Sequence, residues 1–288
     1  MLWIASAELA AAVSNAGGLG VLSPYAGMNE NGDPLENLRS QIARTRILTQ
    51  KPFGVNIPLD LPASGLLIDF LLQENVAIVV TAAGSPALYT ELLHSSGIRV
   101  AHVISSVAQA RSAASCSVDA IIAEGAEAGG RIGRERVSLL SLIPQVVAAV
   151  SLPVIAAGGI VDAGGSAAAF ARGAEGVQLG TRFIATEECI AHPNYKQAIL
   201  DAGDSDTIVT RRDSIPTRSL KTGFTLELAA LEESGASPEE VRTFVGRGRG
   251  RMAQIEGNLT DGDAYAGTSA GSIHEILPAA AVIKTLKS

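Results

Sequence analysis

The chain has 288 residues, of which 47% are hydrophobic and 18% charged, with a formal net charge of −7. The acidic balance argues against nucleic acid as the main partner, and two cysteines without short spacing, Cys116 and Cys189, supply neither a disulfide framework nor a zinc site. No apolar run reaches the roughly 20 residues that span a bilayer, and Met1-Leu2-Trp3-Ile4 lacks the form of a signal peptide, so a cytoplasmic setting is expected.

The chain opens on a helix-period segment, 7–15, stopped by Gly17-Gly18. Short apolar runs ending in Gly, Ser, Asn or Pro then predict strands at 19–22, 53–57, 77–81, 99–104, 120–123, 154–157 and 176–179. Helix-period segments lie between them at 34–45, 66–73, 86–95, 107–114, 137–150 and 165–172. The alternation predicts a parallel sheet with right-handed crossovers, and continuous apolar strands fit a sheet covered on both faces. A TIM (β/α)8-type barrel has eight strands, one more than this chain shows. A strand is expected ahead of helix 7–15 and has no room there. Either the start lies upstream, or residues 1–4 contribute a stub. The expected fold is therefore an α/β barrel of this type lacking its first strand, over residues 1–203.

After Arg182 the pattern reads as helices without strands, at 194–202, 224–234 and 238–246. Ser237-Pro238-Glu239-Glu240 is a helix start with Ser at N-cap and Pro at N1. Residues 204–266 are taken as a helical segment capping the barrel mouth. Residues 267–288, with a helix around 273–286, are expected to return to the barrel wall. Lys196, Arg211, Arg212, Arg218 and Lys221 read as surface charges of the cap.

The loop Ala123-Glu124-Gly125-Ala126-Glu127-Ala128-Gly129-Gly130-Arg131-Ile132-Gly133 follows the fifth strand. It places two carboxylates, four glycines and an arginine where parallel α/β folds keep their active sites. Glycine lets backbone approach a flat or charged ligand closely. Gly158-Gly159 and Gly180-Thr181 end the next two strands, the standard phosphate-binding loops of such barrels. Backbone N–H groups of Gly159, Gly180 and Thr181 could hold a phosphate, with the Thr181 hydroxyl and a following helix N-terminus. Asn56 ends another strand, where its amide can serve a heterocycle edge or simply make an Asx turn. His102 lies in a strand, with packing against a helix as its plainer reading. No histidine pair has metal-ligand spacing, and no metal is expected. The run Gly246-Arg247-Gly248-Arg249-Gly250-Arg251 reads as a helix-end turn rather than an RNA-binding tract.

Together, residues 7–20, Gly54-Val55-Asn56, 124–130, Ala157-Gly158-Gly159-Ile160, Gln178-Leu179-Gly180-Thr181-Arg182-Phe183 and Gly267-Thr268-Ser269-Ala270-Gly271 resemble the nitronate monooxygenase family, formerly 2-nitropropane dioxygenases. The related FMN-dependent enoyl-ACP reductases share these motifs. The resemblance implies an FMN-binding barrel. Asn56, Glu124 and Gly129 would contact the isoalloxazine or ribityl part, and Gly159, Gln178, Leu179, Gly180 and Thr181 the ribityl and phosphate. Two departures stand out. The family begins with a strand ending in Gln-Gly-(Gly/Pro)-Met, of which Met1-Leu2-Trp3 looks like the tail. The family's catalytic histidine, in Glu-Ala-Gly-Gly-His, falls at Arg131. Arginine stays protonated and cannot act as a base. Arg131 is then either a solvated loop charge or a clamp for a nitronate, carboxylate or phosphate.

The implied activity is FMN-dependent oxidation of preformed alkyl nitronates with O2 to carbonyl compounds and nitrite. Neutral nitroalkanes, which need proton abstraction, are expected to react poorly. The alternatives are an NAD(P)H-dependent reductase of enoyl thioesters or quinones, and an inactive or truncated flavin-binding barrel. The expected partners are a small-molecule substrate with O2 or NAD(P)H. Oligomeric state stays open, with a homodimer among the options.

Overall fold

A computed structural model describes residues 1–286. In chain order its strands are β1 (Gly20–Leu22), β2 (Phe53–Pro58), β3 (Ile78–Ala82), β4 (Arg99–Ile104), β5 (Ala120–Glu124), β6 (Gly130–Arg131), β7 (Val154–Ala157), β8 (Gly176–Gln178), β9 (Thr207–Thr210) and β10 (Thr217–Leu220). Seven of them form one parallel sheet in the order β1-β2-β3-β4-β5-β7-β8. Among the described residues β1 and β8 are its two edges, so the sheet is a TIM-barrel-like arc rather than a closed ring.

The central strands of the parallel sheet are covered on two faces. Leu22, Val55, Ile57, Val79, Val100, Ile121 and Val154 pack outward against helix residues including Leu38, Ile42, Leu67, Leu93 and Leu142. Val80, Ala101, Ile122 and Ala157 pack together on the inner face. This double burial explains why the strands read as unbroken apolar runs. The first helix, Ala7–Asn15, lies flush on β1, where a Cβ on Gly20 would come within 1.9 Å of the Ala10 carbonyl oxygen. Local side chains start several helices: Asp33 Oδ1 accepts from Leu35 N–H, Ser106 Oγ from Gln109 N–H, and Asp162 Oδ1 from Gly165 N–H.

The segment at 137–150 contracts to a helix at Leu139–Val147. Its first N–H, of Leu139, donates to Glu127 Oε2 at 2.9 Å, so the Gly-rich loop itself starts the helix.

The cap is not purely helical. It holds helices Gly223–Glu233, Pro238–Val245 and Arg249–Gln254, but β9 and β10 form a hairpin that pairs antiparallel with β6. The register sets Thr217 against Arg131 and Arg218 against Gly130. β9, Thr-Ile-Val-Thr, is β-branched throughout and carries a local strand signal, whereas β10 and the two-residue β6 do not, so the hairpin is completed by a long-range partner. Several charges expected on the cap surface are tied inward. Arg211 pairs with the fully buried Asp263, which also accepts from Ser219. Arg218 donates to the Ala126 carbonyl and to Thr207, and Lys196 to the Thr186 carbonyl. In the Gly-Arg run, Arg249 stacks 4.9 Å over Phe224 and donates to the Val245, Phe244 and Asp261 carbonyls, while Arg251 donates to the Met28 carbonyl. Their role is to anchor the cap.

The C-terminal helix is Ala279–Thr285, preceded by a 3-10 turn at Thr268–Ser272. It returns to the barrel wall, where Ile283 joins the cluster of Leu9 and Val13. The last two residues of the 267–288 segment lie outside the described residues. No helix among the described residues is long and apolar enough to cross a membrane.

Candidate functional site

The C-terminal strand ends, the Gly-rich loop and the cap enclose a cavity of about 1980 Å³. Asn56, Glu124, Gly129, Arg131, Gly159, Gln178, Leu179, Gly180 and Thr181 all line it, so the structure brings every candidate from the sequence to one place. Glu124 and Gln178 lie in one row across three strands, with Ala157 paired to both. Small Ala157 leaves an opening between their side chains. In-register strands set the two backbones about 10 Å apart.

Burial raises the Glu124 carboxyl to about 7. A neutral carboxyl there can donate as well as accept. Glu127 plays a different part from Glu124, because its carboxylate starts the helix at Leu139 and its carbonyl accepts from Thr268 N–H at 3.0 Å. Asn56 sits half-buried on β2, and its Nδ2 donates to the Val80 carbonyl at 3.1 Å.

The phosphate-loop expectation has a concrete basis. Gly159 and Gly180 lie outside every helix and strand, and neither backbone N–H donates to another described residue. Gly159 adopts φ +76°, which favours glycine, and a Cβ on Gly180 would meet only Met1 Cγ, at 3.9 Å. Both loops therefore present a free N–H, with open space beside Gly180 and Glu127 packed close beside Gly159. The helix after Gly180 is only Thr181–Ile184, too short for a useful macrodipole. Asp162 occupies the N-terminus of the helix after Gly159, so the phosphate expected there would have to be held by backbone N–H groups rather than by a helix end. Thr181 Oγ1 accepts from Gly267 N–H at 3.0 Å, which leaves its proton to donate. Leu179 packs its side chain among core residues and offers only backbone.

Gly129 turns out to be a packing glycine. A Cβ there would come within 2.6 Å of the Ala266 carbonyl carbon, so its bareness lets residues 266–267 dock on the loop. The Gly267 to Gly271 stretch thus buttresses both the Gly-rich loop and the strand-eight loop.

Arg131 projects from β6 half-exposed, and its Nη1 meets Asp60 Oδ2 at 2.5 Å. Asp60 comes from the loop after β2 and also lines the cavity. Of the two readings of Arg131, a solvated loop charge and an anion clamp, the geometry adds that its charge is shared with a carboxylate. His102 is paired in register with Thr81 and Ile121 and is 4% exposed, with Nδ1 2.8 Å from Thr81 Oγ1, and it too is among the residues that line the cavity. Burial lowers it to about 4, so it is neutral at physiological pH. Residues not foreseen at the cavity include Asp60, Tyr195, Gln254 and Tyr265. Asp60, two residues beyond a strand end, could have been suspected from position; the cap residues carry no local signal.

Comparison with known proteins shows the family and the fold. The family model for nitronate monooxygenase matches residues 1–65 and 66–288. A (3aS,4S,5R,7aS)-5-hydroxy-7a-methyl-1-oxo-octahydro-1H-indene-4-carboxyl-CoA dehydrogenase of Rhodococcus jostii is 39% identical over 82% of the chain, and the match covers 64% of that relative's length. A nitronate monooxygenase of Paraburkholderia phytofirmans is 32% identical, over all of this chain and 89% of that protein. Among solved structures, FabK from Thermotoga maritima superposes with a TM-score of 0.92 at 41% identity, covering 100% of this chain and 89% of FabK. The nitroalkane oxidase from Streptomyces ansochromogenes gives 0.83 at 30% identity, covering 99% and 91%.

Proposed function

Because the chain belongs to the nitronate monooxygenase family, we propose that it is an FMN-dependent oxidoreductase that oxidises preformed alkyl nitronates with O2 to carbonyl compounds and nitrite. The observation that carries this reading is the free N–H pair of Gly159 and Gly180 at one end of a cavity whose wall holds Glu124, Asn56 and Gln178. These residues fit the flavin: the glycine N–H groups and the Thr181 hydroxyl would hold its phosphate, and the three polar side chains its ribityl and ring edges. Bound FMN would supply the two-electron chemistry, and the protein the orientation and charge.

Arg131 holds the anionic substrate at the mouth, in competition with Asp60. It cannot take a proton from a neutral nitroalkane. His102, buried, neutral and hydrogen-bonded to Thr81, does not replace the missing base. The cap excludes water above the reacting centre.

A second reading, an NAD(P)H-dependent reductase of enoyl thioesters or quinones, draws support from the 39% identity to a protein named as a carboxyl-CoA dehydrogenase.

The test is to load the purified chain with FMN, desalt it and record its absorbance, then mix it with ethyl nitronate in air, with nitroethane in air, and with NADH or NADPH without oxygen. Nitrite release from the nitronate but not from nitroethane is the expected result. Bleaching by a pyridine nucleotide with no nitrite release would select the second reading, and loss of flavin on desalting would defeat both.

A further inference from the structure

The cap reaches the cavity through the helix Arg249–Gln254. Its last residue, Gln254, lines the cavity and is 2% exposed. The buried Gln254 Nε2 has no hydrogen-bond partner among the described residues. Its main chain is fixed, with the Gln254 carbonyl accepting from His192 N–H at 2.8 Å. The helix cannot turn to offer the amide to solvent. Ala253 is fully buried, and Gly250 lies so close to Tyr265 that a Cβ would come within 3.0 Å of its ring. Two other side chains carry a buried polar atom without a partner, Ser6 and Glu232, and neither lines the cavity.

A carboxamide held dry and unpaired is costly to the free protein and useful to a bound one. Buried polar groups left open in a site discriminate strongly for ligands that satisfy them. The flavin-facing groups Glu124, Asn56 and Gln178 come from strand ends, whereas Gln254 comes from the cap. We propose that the Gln254 carboxamide, whose Nε2 is unpartnered and closed off from the cavity, turns to donate a hydrogen bond to an acceptor oxygen of a substrate held under the cap. A nitronate oxygen and a thioester carbonyl share this acceptor chemistry. The inference rests on reading the cavity as a flavin-and-substrate site. Gln254 is then a specificity-determining residue, and its bond favours substrates that present an acceptor oxygen to the cap.

The test compares the FMN-loaded chain with its Gln254→Met and Gln254→Glu variants. Ethyl nitronate and, separately, crotonyl-CoA are titrated against the flavin absorbance to give Kd. KM and kcat follow for whichever is turned over, and Tm is measured on the flavin-free proteins. Gln254→Met is expected to raise Kd and KM about tenfold with little change in kcat. It should also raise the flavin-free Tm by about 2–4 °C, because an unsatisfied amide is gone. Gln254→Glu should weaken ethyl nitronate more than Gln254→Met does, through charge repulsion. Unchanged Kd and KM in both variants, with FMN retained and a probe bound by the parent chain, would overturn the inference while leaving the functional reading intact. A parent chain that fails to bind FMN, or binds FMN and neither probe, overturns the functional reading and this one with it.

Discussion

Arg131, on the short strand β6, closes an ion pair with Asp60 from the loop after β2, Nη1 to Oδ2 at 2.5 Å, across the cavity mouth. The guanidinium that would receive an anionic substrate is already paired with a carboxylate. Both side chains are substantially exposed, so the pair adds little to stability and can exchange partners. Asp60→Asn should free the guanidinium and lower KM for ethyl nitronate several-fold, with stability unchanged. Steady-state kinetics at two ionic strengths would check it: a KM that does not move at low salt means that Arg131 takes no part in binding.

Restoring a titratable group at this position is the converse experiment. Arg131→His supplies a group able to exchange a proton near neutral pH. Turnover of neutral nitroethane should rise by at least about a hundredfold relative to the parent chain, the usual contribution of a positioned general base. Nitrite assays on nitroethane and on its preformed anion would separate this gain from a general change in activity.

The glycines divide into packing and ligand positions. Gly129→Ala pushes a methyl into the backbone at Ala266 and should destabilise the flavin-free protein by about 1–3 kcal/mol. Gly180→Ala meets open space at a φ of −116°, so the flavin-free Tm should hold. FMN affinity should nevertheless fall, because the methyl enters the space over the free N–H groups. Thermal melts with and without FMN would resolve the two effects.

Half-buried Glu124 and buried His102 make opposite contributions to pH-dependent stability. Glu124 titrates at about 7 when folded against 4.5 unperturbed, so the folded state binds the extra proton and stability falls as pH rises from 4.5 to 7. His102 titrates at about 4 against 6.5, so the unfolded state binds the extra proton and stability falls as pH drops from 6.5 to 4. Each swing is on the order of 3 kcal/mol, and over their common window they offset one another. In Glu124→Gln, flavin-free stability should rise steadily from pH 4.5 to 6.5. In His102→Gln it should fall over the same range. Urea midpoints that stay flat in both variants would show that neither group carries the assigned shift.

In the cap, Asp263 is fully buried against Arg211 and Ser219. Asp263→Ala leaves a mostly buried guanidinium uncompensated and should cost about 3–5 kcal/mol. Replacing both partners, Arg211→Leu with Asp263→Leu, should recover much of that loss, as a double-mutant cycle by denaturant unfolding would show.

Where side-chain type is dictated by the immediate neighbourhood, the chain is legible without coordinates. Strands buried on both faces must be apolar throughout, so Phe53–Pro58 and Arg99–Ile104 announce themselves. Caps such as Ser237 and Asp162 act within one turn, and glycines at strand ends mark the loops that gather around the cavity. The seven-stranded arc and the membership of the site follow from those local rules.

Only the tertiary structure decided what depends on partners distant in sequence. The hairpin of Thr207–Thr210 and Thr217–Leu220 pairs with β6, and although the β-branched Thr207–Thr210 hints at a strand, nothing local in Thr217–Leu220 or in the Gly-rich loop does. Gly129 is bare for the sake of Ala266, and Arg131 is matched by a carboxylate 71 residues away. Glu124 and Glu127 look alike in the loop, yet one lines the cavity as a near-neutral acid and the other starts a helix. Gln254 reads as an ordinary helix residue until the fold buries its amide without a partner. Charge state and hydrogen-bond satisfaction are properties of an environment, and that environment is assembled by long-range packing.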